Sequence, residues 1–135
     1  MDQVTRLQIS PPNSMLVIAG LGASNTPIPD GIATVVASDD TILVMTQYEP
    51  LGLTEVTVSL GSAGNWPSLD LIEVFDGKLR TPGGVLQLQD IALKSYARFE
   101  SGTDETHVRV AVDRDIEPMR VEIAIDCASA GAGPA

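Results

Sequence analysis

Along several short stretches of the chain, apolar and polar residues alternate with a period of two. Leu7 and Ile9 share one face of Arg6-Leu7-Gln8-Ile9, and Val56, Val58 and Leu60 share one face of the segment from Glu55 to Leu60. The pattern recurs at Leu86 and Leu88, at Val108, Val110 and Val112, and at Val121, Ile123 and Ile125. Successive side chains on a strand point to opposite sides. The pattern therefore puts one side of each segment in a core and the other in water, as in antiparallel sheets packed on one face. Met15 to Ala19 and Ile42 to Met45 are instead apolar throughout, which predicts central strands or strands covered on both sides.

Turn formers break the chain at short intervals: Pro11-Pro12-Asn13, Pro27 to Gly31, Asp39-Asp40, Pro50-Leu51-Gly52, Gly61 to Pro67, Pro82-Gly83-Gly84, Ser101-Gly102-Thr103 and Glu117-Pro118. The pieces between them are strand length, about five to nine residues. Asp76-Gly77 reads as one more turn, closing a hairpin between Val74-Phe75 and Lys78-Leu79-Arg80. Asp90 to Phe99 is the best helical candidate, but Ile91, Leu93 and Phe99 form no convincing 3.6-residue stripe. The predicted fold is all-β: an antiparallel β-sandwich of about eight or nine strands with Greek-key links, with a closed β-barrel as the alternative. Residues 1–127 would form that domain and 128–135, rich in Ala and Gly, a flexible C-terminal tail.

Composition sharpens the picture. At 135 residues the chain suits one domain with a real core. No apolar run reaches the roughly 18 residues of a membrane helix, and no basic-then-apolar leader opens the sequence. A lone cysteine, Cys127, excludes an intramolecular disulfide and fits a cytoplasmic setting. The net charge of −10 argues against nucleic acid and anionic membranes as partners. Its distribution along the chain is uneven. Between Arg6 and Lys78 there is no Lys or Arg, while Asp30, Asp39, Asp40, Glu49, Glu55, Asp70, Glu73 and Asp76 all fall there. The first half of the chain is expected to carry most of the negative field, either for solubility or as a docking surface for a basic partner.

Candidate chemistry is sparse. Triad catalysis needs a base, and the one histidine, His107, lies on the polar face of a predicted strand beside Arg109. Cys127 shares the parity of Ile123 and Ile125 and reads as a small buried hydrophobe. One His and one Cys cannot make a structural zinc site. Asp39-Asp40, Asp70 with Asp76, and Asp113-Arg114-Asp115 sit at loop edges where calcium ligands can gather, but none matches a calcium loop. Pro82-Gly83-Gly84 lacks the spacing of a phosphate loop. Trp66, in a Gly-rich loop, is either a lid over one end of the sandwich or an interface anchor. No catalytic residue, metal or cofactor is assigned.

The opening strand around Leu7-Gln8-Ile9-Ser10, the Pro-containing loop from Pro27 to Gly31, and the strand series closing on Asp113 and on Val121 to Ile125 give a layout that resembles the β-sandwich family of competence protein J. The resemblance covers most of the chain as a pattern and transfers no site residue. It implies an inhibitor of a bacterial DNA-entry nuclease, a role that suits an acidic protein facing a basic groove. The expected function is thus a non-catalytic acidic module that binds a basic protein partner through Asp39, Asp40, Trp66, Asp70 and Asp76. A calcium-binding module, a structural subunit of a larger assembly, and a carboxylate- or metal-dependent hydrolase are the alternatives.

Overall fold

The computed structural model describes residues 3–47, 52–61, 66–68 and 70–127. The tail expected at 128–135 lies outside these. Among the described residues ten strands, against the eight or nine expected, form two five-stranded sheets. Sheet A has the order β1 (Gln3–Ile9), β5 (Thr54–Leu60), β10 (Arg120–Ile125), β9 (Glu105–Val112), β6 (Ile72–Arg80). Sheet B has the order β3 (Val35–Ala37), β4 (Thr41–Met45), β2 (Met15–Gly20), β7 (Val85–Asp90), β8 (Ser95–Glu100). This is the expected sandwich, and no barrel closes.

The alternating segments do what their period demands. Val56, Val58, Val108, Val110, Val112, Val121, Ile123 and Ile125 point inward from sheet A and meet Leu16, Ile18, Ile42, Val44, Leu86 and Leu88 from sheet B. Where Ile18, Val58, Leu88, Phe99, Ile123 and Ile125 come together there is no water-sized void. The two continuously apolar runs, β2 and β4, are covered on both sides. Their outward-facing Val17, Ala19 and Leu43 are buried in a second cluster with Met15, Ala23, Val36 and Met45.

Two features depart from the sequence expectation. The β5–β10 pair is parallel, with Val56 beside Val121 and Val58 beside Ile123, whereas the other pairings are antiparallel. Residue alternation is the same in both kinds of ladder, so periodicity could not tell them apart. Asp76-Gly77 makes no turn. β6 runs straight through it, with Gly77 opposite Val108 and an irregularity between Glu73 and Phe75. The Phe75 ring lies so close over Gly77 that a Cβ there would meet its Cζ at 2.9 Å, so this glycine makes room for an aromatic rather than a bend. The weak helical candidate is the turn after β7 followed by β8.

The chain moves from sheet A to sheet B through two similar turns, Pro12–Ser14 and Pro82–Gly84. Each ends in two left-handed residues, Asn13-Ser14 and Gly83-Gly84. At Gly84 a Cβ would lie 2.9 Å from the Gly102 amide nitrogen. Beneath this second crossing, Thr106 Oγ1 donates to Ser101 Oγ at 2.7 Å and lies 2.7 Å from Thr81 Oγ1, a buried chain of hydroxyls whose ends donate to the Thr103 and Gly84 carbonyls.

Because this interior has no slack, Ile123→Ala should cost about 2–5 kcal/mol by urea unfolding. A loss under about 1 kcal/mol would mean that the sheets close over the gap.

Candidate protein-binding face

The outward residues of sheet A are nearly all polar, and β5, β10, β9 and β6 align them in rows. β10 presents Arg120 and Glu122, β9 presents Glu105, His107 and Arg109, and β6 presents Glu73, Asp76, Lys78 and Arg80. The segment leading into β6 lies across these rows. Trp66, joined to Pro67 by a cis peptide, donates from Nε1 to Glu73 Oε1 at 2.6 Å and stacks on the Arg109 guanidinium, 5.3 Å from ring centre to Cζ. Ser68 donates from its amide and hydroxyl to the Glu122 carboxylate. Asp70 accepts from Arg120, which also faces Glu55 at 3.5 Å. Trp66 is therefore no lid over the end of the sandwich; it is half-buried against the outer face of sheet A.

Of the five residues expected to contact a partner, three meet on this face: Trp66, Asp70 and Asp76. Asp39 stands at its margin, 3.2 Å from Arg80. Asp40 does not belong with them. It is 2 % exposed and lies inside the fold, accepting from the amide of Ser24 at 3.1 Å and from the hydroxyl of Thr41 at 3.0 Å. The Asn25 amide and Ser38 hydroxyl add longer bonds, and Arg80 approaches at 3.5 Å. Burial alone would raise its pKa. The hydrogen bonds, led by that from Ser24, outweigh burial and hold it below the usual carboxylate range. Asp40 is a pin joining the loop after β2, the β3–β4 turn and the end of β6.

The acids of the first half are not a free negative field. Arg120 holds the Asp70 carboxyl below its usual range, and the same hydrogen bond raises the Arg120 guanidinium. Asp76 accepts at 2.6 Å from His107 Nε2, whose Nδ1 is 2.9 Å from Asp126. That double contact raises the imidazole above its ordinary value, with Asp76 the larger cause and partial burial opposing it. Charge is segregated along the chain but mixed in space, because Lys78, Arg80, Arg109 and Arg120 lie on β6, β9 and β10 in the same sheet as β5. Acids still outnumber permanent bases around the face. Asp39, Glu55, Asp70, Glu73, Asp76, Glu105, Glu122 and Asp126 stand against Arg6, Lys78, Arg80, Arg109 and Arg120.

Sequence reasoning overlooked Glu73, Arg109, Glu122 and Asp126. For Arg109, Glu122 and Asp126 the signal was the outward parity of the segments whose inward parity gave the core, whereas Glu73 lies on β6, where the turn chemistry of Asp76-Gly77 hid the strand; only strand order makes all four neighbours of Trp66 and Asp70. Of the acids considered for calcium, Asp70 is engaged by Arg120, Asp76 by His107, and Asp113 by the amides of Met119 and Arg120 at 3.0 and 3.1 Å. Among the described residues no group of three or more His, Cys, Asp or Glu side chains is placed to hold a metal ion, and no helix is long and apolar enough to cross a membrane. Cys127 is half-buried rather than in the core, its Sγ 3.8 Å from the Glu100 carbonyl oxygen.

No protein-family model matches this chain, and no curated protein matches its sequence. Solved structures do match its fold. ComJ from Bacillus subtilis, an inhibitor of the DNA degrading activity of NucA, superposes with a TM-score of 0.69 at 12% identity, over 94% of this chain and 98% of that one. The product of crocagin biosynthetic gene J superposes with a TM-score of 0.63 at 10% identity, again over 94% and 98% of the two chains. The sandwich layout that resembled competence protein J in sequence is thus shared in three dimensions.

Two outcomes check this account. Asp40→Asn should cost about 1–3 kcal/mol in urea unfolding, because it sets an amide among donors that need an acceptor. Asp39→Asn, exposed, should stay within about 0.5 kcal/mol of the native protein. The His107 contribution to stability should be complete below the ordinary imidazole pKa of about 6.5 and disappear as pH rises through the higher folded-state value. Relative to His107→Gln, the native protein should therefore lose stability as pH rises from about 6.5 through the raised folded-state value. A pH-independent difference between the two would show that Asp76 and Asp126 do not hold an imidazolium.

Proposed function

We propose that this protein is a non-catalytic, inhibitor-type binder of a protein partner with a basic surface, and that a nuclease is the class of partner its chemistry suits best. The observation that carries this reading is the excess of carboxylates on the outer face of sheet A, set in rows around a half-buried tryptophan. Such a face attracts Lys- and Arg-lined surfaces at long range and repels nucleic acid and anionic lipid. The role of ComJ, a nuclease inhibitor of the same fold, agrees with it.

The chemistry of His107 supports the non-catalytic part. Both ring nitrogens are taken by carboxylates, so neither can activate a serine or thiol. Asp39, Trp66, Asp70 and Asp76 remain the contact residues, with Asp40 now a fold residue, and a cytoplasmic site of action fits the single thiol.

The test is capture of partners from the source organism on immobilised protein at low and high salt. A basic protein should be recovered at low salt and lost at high salt. The Asp39→Asn/Asp70→Asn/Asp76→Asn variant should associate with it about tenfold more slowly. Equal recovery by that variant at every salt concentration would sink the electrostatic reading.

A further inference from the structure

Exposed, already paired charges steer a partner but add little to holding it, because each is screened and partly compensated before contact. Tight complexes draw their hold from apolar side chains that leave water at the centre of the interface. Sheet A's outer face offers one half-buried tryptophan for that purpose. The end of the sandwich where β5 and β10 begin offers more.

Two loops and the approach to β5 meet there and are braced by backbone hydrogen bonds. Thr34 donates its hydroxyl to the Asp115 carbonyl, joining the loop before β3 to the β9–β10 loop. The Gln47 amide donates to Pro118 O at 3.0 Å and its side chain to Leu53 O at 2.8 Å, while the Glu55 amide donates to Met119 O at 2.9 Å. Asp30 Oδ1 accepts from the amides of Ile32 and Ala33 at 2.8 and 2.9 Å.

These bonds fix the backbone and leave its apolar side chains in water. Ile32 is 89% exposed, Ile116 73%, Leu53 56% and Met119 42%. Scattered apolar residues on a surface need no explanation, but these four stand on segments that the hydrogen bonds above hold together at one end of the sandwich. Its rim is acidic: Asp30, Asp115 and Glu117 outnumber Arg114.

We infer that this loop end is the anchor of the partner contact, with Ile116 and Met119, flanked by Ile32 and Leu53, seated in an apolar hollow of a protein whose rim carries Lys and Arg. The inference rests on the protein-binding reading above and assigns it a centre. The rim selects the occupant. A second copy of this chain would set carboxylates against carboxylates, whereas a basic protein satisfies both the apolar tips and the acids.

The test uses the basic protein recovered at low salt, purified, with dissociation followed by surface plasmon resonance and, if that protein is a nuclease, its DNA cleavage as a second readout. Ile116→Asp, and separately Ile32→Asp on the other loop, should melt like the native protein. Each should weaken binding about a hundredfold. The loss should appear in the dissociation rate, in contrast to the association effect of the sheet A variant. Native-like affinity in both variants would overturn the anchor while leaving the protein-binding reading intact. Native protein that recovers no partner would overturn both. Native protein that dimerises in sedimentation, with Ile116→Asp monomeric, would make the occupant a second copy and overturn the basic-partner assignment.

Discussion

The two sheets hold together because the inward valines and isoleucines of β5, β9 and β10 have only the inner faces of β2, β4 and β7 to bury themselves against. The described strands contain no cross-link and no long helix to share that task. Burying one such side chain contributes about 1.5–3 kcal/mol, and most of the net stability must come from this layer. The same dry layer sets the terms at its edges. Where the chain crosses between sheets, polar groups that lose water must find partners within the protein. The Thr81-Ser101-Thr106 chain of hydroxyls answers that demand at a crossing, and the Asp40 carboxylate answers it at the β3–β4 turn.

What could be read in advance follows from which forces are local. Alternation at β5, β9 and β10 and the unbroken apolar runs at β2 and β4 report burial directly, so these strands and their inward residues were legible. β6 was not, because Asp76-Gly77 has turn chemistry and only its partner Val108 and the ring of Phe75 make it a strand. The site divided in the same way. Trp66, Asp70 and Asp76 stood out by residue type, but Arg109, Arg120 and His107, which pair with them, come from distant strands. Asp39 and Asp40 are neighbours with opposite fates, one in solvent and one enclosed, and only the path of the loop after β2 separates them.

A face on which acids are already matched to Arg120, Arg80 and His107 behaves differently from a bare negative surface. A lysine or arginine arriving there must share or displace a resident cation, so the geometry of the rows decides which partners fit. For the binding role proposed above, net charge would set how quickly a partner arrives, and the pattern of pairs would set whether it can stay. The stacked Trp66–Arg109 pair adds rigidity at the centre of those rows, since both side chains are already ordered before any partner comes.

The parallel ladder between β5 and β10 also governs the order of events when the chain is made. β10 separates β5 from β9, so sheet A cannot become continuous until Arg120 to Ile125 has left the ribosome. Until then the nascent chain carries two unsatisfied strand edges in the middle of its future sheet, together with the valines meant to be covered. Such edges are what chaperones bind and what aggregation exploits. Pairing of β10 with β9 and β5 covers both edges at once, and the short connection from Asp113 to Met119 is what brings β10 back between them.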